Sequence, residues 1–176
     1  IYAAQTDEFV GELPVVEYRQ TDASIDGFEF YAGYDVLKNL TLFVQGEHVS
    51  TKNDATGRQL PVTPPDRWAG GIRWGFEGGN RWHSGHVEAR ATSVGDGEAS
   101  GADELFSRAD TESYSLVDFS AGIHRSLDRG GLLFNLVVRN LGDREYIDFL
   151  DTYKQWYDFG ARSPGRNVRL TVRYIF

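Results

Sequence analysis

The sequence contains no cysteine, so disulfides and thiolate metal sites are excluded. Proline is scarce, 5 in 176 residues, while glycine (20), phenylalanine (11) and tyrosine (9) are plentiful, a balance that favours strands and turns over helices. There is no excess of base: the formal net charge of −8 argues against a nucleic-acid binder. No apolar run approaches the roughly 20 residues that a membrane helix needs. HExxH, phosphate-loop and dinucleotide motifs are missing, and no Ser or Cys nucleophile sits in a catalytic pattern, so neither an enzyme nor a cofactor is expected. The chain begins at Ile1 with no initiator methionine and no signal peptide, which reads as a processed protein or part of a longer one.

What the sequence has is alternation. In the last stretch Val168, Leu170, Val172, Tyr174 and Phe176 share one parity, and Arg169, Thr171, Arg173 and Ile175 share the other. Period two means a strand with one apolar and one largely polar face. "LLFNLVVRN", "SLVDFSAGIHR", "WAGGIRWGF", "RWHSGHVEARATSV", "GFEFYAGYDV" and, less regularly, "LTLFVQGEHVS" repeat the pattern. Residues 15–26 read as extended, joined to Phe28 through a bulge near Gly27, and "IYAAQTDEF" reads as the end of a further strand. The expectation is about eight antiparallel strands.

The connections alternate in length. Residues 35–39, 77–80 and 126–131 are tight turns, whereas 51–66, the acidic stretch 95–112 and 147–163 are long. Short turns at one end and long loops at the other fit a transmembrane β-barrel, whose spanning strands need only about 9–11 residues. Charges in mid-strand (Arg73, Glu88, Arg90, Asp118, Arg139, Arg169, Arg173) suit a wet lumen. Aromatics near strand ends (Trp68, Trp74, Phe76, Trp82, Tyr114, Tyr174, Phe176) suit interfacial belts. A strand kept regular to Phe176 suits a closing strand, because lipid leaves no backbone group unpaired.

Candidate binding residues are few. His83 and His86 point to opposite faces of a strand, but His86 and Glu88 share one and, with His48 or His124, form a weak lumenal metal candidate beside the plainer reading of polar lining. In "DFLDTYKQWYDF", Tyr153, Lys154, Trp156 and Tyr157 suit either contact with an anionic chelate or an aromatic belt above the lipid.

"LVVRNLGDREYIDFLDTYKQWYDFGARSPGRNVRLTVRYIF" resembles the C-terminal end of TonB-dependent outer-membrane receptors. Asn140, Leu141, Asp143 and Tyr146 match the family's Asn-Leu-x-Asp…Tyr, and Pro164, Gly165 and Arg166 its Pro-Gly-Arg before a last strand ending in Phe. "ASIDGFEFYAGYDVLKNLTLFVQGEHV" and "LPVTPPDRWAGGIRW" resemble two earlier family segments in the same order. The resemblance implies roughly the last third of a barrel of about 22 strands, without the plug domain and its TonB-contacting box. It implies a bacterial outer-membrane receptor that takes up a scarce metal chelate (siderophore, haem or another metal complex) with energy relayed by TonB through the missing plug region. Its partners are then outer-membrane lipid, the chelate and the barrel-assembly machinery, which reads Val168, Leu170, Val172, Tyr174 and Phe176 by strand addition. The alternative is a self-contained eight-stranded barrel with a structural, adhesin or small-porin role.

Overall fold

The computed structural model describes residues 2–60, 62–79, 82–98, 109–153, 159–160 and 162–176, with backbone alone at residues 2–5, 83, 153, 159 and 160. All its long elements are strands: β1 (Tyr2–Val10), β2 (Leu13–Arg19), β3 (Ala23–Leu37), β4 (Leu40–Asn53), β5 (Arg67–Glu77), β6 (Trp82–Val94), β7 (Tyr114–Ser126), β8 (Gly131–Arg139) and β11 (Asn167–Ile175). Two short strands, β9 (Thr152–Tyr153) and β10 (Phe159–Gly160), pair with each other beyond a 3-10 turn at Phe149–Asp151. There is no α-helix among the described residues.

β1 and β2 form a hairpin across Gly11, whose φ of 67° suits a residue without Cβ. β3 to β8 and β11 form an antiparallel seven-stranded sheet in which each strand lies beside its predecessor. The sheet does not close on itself; β3 and β11 are its edges.

Register converts the sequence alternation into two faces. One row across all seven strands reads Tyr34, Leu42, Ile72, Ala89, Phe119, Val138, Val168. The adjacent row, on the opposite face, reads Asp35, Thr41, Arg73, Glu88, Ser120, Val137, Arg169. All seven expected mid-strand charges fall on the second face. Among the described residues no second layer covers the first: Leu170 is 66% exposed, Trp74 46% and Ile72 42%. In a sandwich these side chains would fill the core between two sheets. A broad, uncovered apolar sheet face marks a surface that water does not meet, so this is the wall of a barrel with lipid outside and a polar lumen.

Glycines let large rings lie flat on this wall. A Cβ on Gly46 would stand 2.6 Å from the Phe30 ring and 2.9 Å from that of Trp68, on the outer face. One on Gly71 would stand 2.4 Å from the Phe43 ring on the lumenal face.

Two expectations change. No bulge occurs near Gly27: β3 pairs with β4 unbroken from Ala23 to Asp35, and the break falls earlier, at residues 20–22. Residues 15–26 therefore divide between two strands, and their connection is short at the end where the others are long. Tyr114 is no belt residue, since it is 5% exposed and lies on the lumenal row Glu29, Glu47, Arg67, Val94, Tyr114.

Candidate functional site

The buried groups concentrate where the long loops meet. Val94, Tyr114, Asn140, Phe149 and Thr152 are each 5% exposed or less. A single-layer wall buries nothing between sheets, so its loops must supply their own core.

The first part of that core is a clasp built by the sequence motif. At the end of β8 the chain turns left-handed at Asn140 (φ 50°) and again at Asp143 (φ 53°); of the ordinary residues, Asn and Asp adopt this conformation most readily. The Asn140 amide spans the turn, its Nδ2 donating to the Arg144 carbonyl (2.8 Å) and its Oδ1 accepting from the Arg144 N–H (2.9 Å). The Asn140 N–H donates to Asp118 Oδ1 (2.8 Å), and the Leu141 N–H to the Val117 carbonyl (2.7 Å). Asp143 Oδ1 accepts the Arg166 N–H at 2.7 Å. A Cβ on Gly165 would stand 2.6 Å from that oxygen, so glycine there admits the carboxylate. Pro164 is exposed next to it. Asn140, Leu141, Asp143, Gly165 and Arg166, dispersed in sequence, thus tie both ends of the last long loop to β7, β8 and β11.

The second part is a hub at Asp148. It accepts hydrogen bonds from the Tyr114 hydroxyl (2.8 Å) and the Leu150 N–H (3.0 Å), and Arg67 approaches to 3.5 Å. Tyr146 lies against Tyr114 with ring centroids 4.3 Å apart. Burial, and then the hydrogen bond to Asp148, hold the Tyr114 phenol well above its ordinary range. Phe149 packs onto Gly97, and Thr152 Oγ1 joins the loops by accepting from the Ala109 N–H (3.1 Å). Beside this hub a cleft of about 340 Å³ is lined by Asp110, Tyr114, Arg144, Tyr146 and Arg162. Nothing in the periodicity points to Phe149 or Asp148, and Phe149 is one of several apolar side chains in its loop.

On the lumenal face His86 and Glu88 do share a side, but Glu88 is engaged by Arg73, whose Nε donates to Oε2 at 2.7 Å. His48 pairs with Phe28, on the outer parity, and meets Asp66 at 2.5 Å, so it does not face the lumen as the sequence reading allowed. Among the described residues no three of His, Cys, Asp and Glu gather closely enough to hold a metal ion. Lys154, Trp156 and Tyr157, and the side chain of Tyr153, lie outside the described residues.

Along β11, from the long-loop end to the tight-turn end, Val168, Leu170, Val172 and Tyr174 share the outer face. The Tyr174 hydroxyl donates to the Arg129 carbonyl of the β7–β8 turn (2.6 Å), and its ring meets Phe176 edge-on at 4.9 Å. Arg125 stands 5.4 Å over the Trp82 ring, a cation–π contact suited to an interface.

A family model described as TonB dependent receptor-like, β-barrel, matches residues 2–141. The chain belongs to that family. Its place is accordingly the bacterial outer membrane, with the long loops outside and the tight turns in the periplasm. Among solved structures the copper transporter OprC matches over 100% of this chain with a TM-score of 0.80 and 18% identity. The likeness is one of fold, and this chain spans 27% of that protein. No curated protein sequence matches it. The TonB-dependent receptor match ends at Leu141, so Asp143, Tyr146, Gly165 and Arg166 owe their roles to the contacts described above.

Proposed function

We propose that this chain forms part of the wall of an active-transport receptor that takes up a scarce metal complex, a siderophore, haem or another chelate, with energy relayed through TonB. The observation that carries this reading is the polar-lumen wall joined to an ordered extracellular loop core, in a chain of the TonB-dependent receptor family. The OprC likeness adds a fold neighbour whose cargo is a metal. Open edges at β3 and β11 favour a wide barrel over a self-contained eight-stranded one. No enzymatic step is part of the proposal. Lipid contacts the outer face, and Val168, Leu170, Val172, Tyr174 and Phe176 serve as the segment read by the assembly machinery.

The test uses the full-length receptor in outer membranes, with uptake of radiolabelled metal chelates measured with and without TonB. Concentrative uptake that disappears without TonB is expected. Passive equilibration indifferent to TonB, or compact heat-modifiable refolding of the 176-residue chain alone, would count for the self-contained barrel instead.

A further inference from the structure

Sorted by strand, the charges on the lumenal wall are unevenly distributed. β3 and β4 place Glu29, Asp35 and Glu47 there and no lysine or arginine. β8 and β11 place Arg139, Arg169 and Arg173 there and no carboxylate. On β7 the one lumenal carboxylate, Asp118, lies across from Arg90 and accepts the Asn140 N–H. Arg73 and Arg67, by contrast, have Glu88, Glu47 and Asp148.

Within the basic sector a groove of about 370 Å³ lies in the periplasmic half of the wall. Its polar rim includes His86, His124, Asn135, Thr171 and Arg173, with no Asp or Glu in its lining. Thr171, Asn135, Gly122 and His86 stand in one cross-strand row. The His86 ring lies over Gly122, where a Cβ would stand 2.5 Å from its Cε1. Two imidazoles invite a metal ion, but the Arg173 guanidinium repels a cation, and the charged ligands that would offset it are missing from the lining. Amide, hydroxyl, imidazole and guanidinium can all donate hydrogen bonds, and together they match a carboxylate.

We propose that this groove is a carboxylate-binding station on the lumen wall, with Arg173 supplying charge and Asn135 and Thr171 supplying neutral donors. It rests on the placement of this face in a lumen, not on the identity of the cargo. The carboxylate has two sources, the cargo itself or an acidic side chain from another part of the same protein lying in the lumen.

The experiment is calorimetric titration of citrate into the full-length receptor in detergent, alongside its thermal melting. If cargo is the source, the wild type binds citrate and Arg173→Gln weakens binding about tenfold, the worth of one charge-assisted hydrogen bond. Arg173→Lys then recovers part of the loss, and Arg139→Gln, on the same face but outside the groove, leaves binding unchanged. If the source is internal, citrate does not bind the wild type, whereas Arg173→Gln lowers the melting temperature by a few degrees and Arg173→Lys restores it. Citrate binding and melting both indifferent to Arg173→Gln would overturn the proposal.

Discussion

Replacing Asn140 by alanine in the full-length receptor tests whether the Asn-Leu-x-Asp turn is a structural clasp. The substitution deletes both side-chain bonds to Arg144 and leaves a β-carbon in a left-handed turn at φ 50°. Each hydrogen bond contributes about 0.5–1.5 kcal/mol net. Alanine, which tolerates the left-handed backbone less readily than asparagine, adds about 1–2 kcal/mol of backbone cost. Together they weaken the turn by about 2–5 kcal/mol, or roughly 30- to 4000-fold in its opening equilibrium. Because the clasp is local, the readout is hydrogen exchange at the Leu141, Asp143 and Arg166 amides, which donate to Val117, Asn140 and Asp143. All three should exchange faster by that factor, while amides in the middle of β8 stay protected. Asn140→Gly keeps the backbone conformation at no steric cost and should recover about 1–2 kcal/mol. Unchanged exchange in the alanine variant, or glycine no better than alanine, would refute the clasp.

Two further outcomes follow from the same geometry. Leu170→Arg puts a charge on the lipid face and should cost about 2–4 kcal/mol near the bilayer midplane, whereas Thr171→Arg, one residue on and facing the lumen, should refold normally; urea titration in lipid vesicles separates them. Tyr114 has a raised folded-state pKa, so its contribution to the loop core is complete below the unfolded value of 10.0 and is lost as pH rises above it. Alkaline melting should therefore loosen the 141–152 loop in the wild type, with a smaller pH dependence in Tyr114→Phe.

The membrane-spanning parts were largely legible because a single-layer wall demands alternation on every strand. β11, β8 and β7 follow their sequence parity through the register. The misreadings arose where parity was available but not followed, or where it carries no information. Leu42, Val44 and Gly46 set the outer parity of β4, and His48 continues it, which is why it leaves the lumenal metal set. The 20–22 break contains no glycine or proline, and Asp22 is the one turn-forming residue that marks it. The loop core was invisible because its partners, Tyr114 and Asp148 or Ala109 and Thr152, meet across long intervals of sequence without a period. The Asn140-to-Arg166 motif was visible as a resemblance, while its mechanics, a carboxylate admitted by a glycine, emerge only from geometry.

One face of this sheet meets lipid and the other an aqueous lumen. This chain contributes no cysteine of its own, which suits a nitroxide scan. Single cysteines at positions 168 to 173 of the receptor, spin-labelled in lipid vesicles, report collision with oxygen dissolved in lipid and with a water-soluble nickel chelate. A period of two is expected, with 168, 170 and 172 favouring oxygen and 169, 171 and 173 favouring nickel. Accessibility without that alternation, or with its phase reversed, would contradict it.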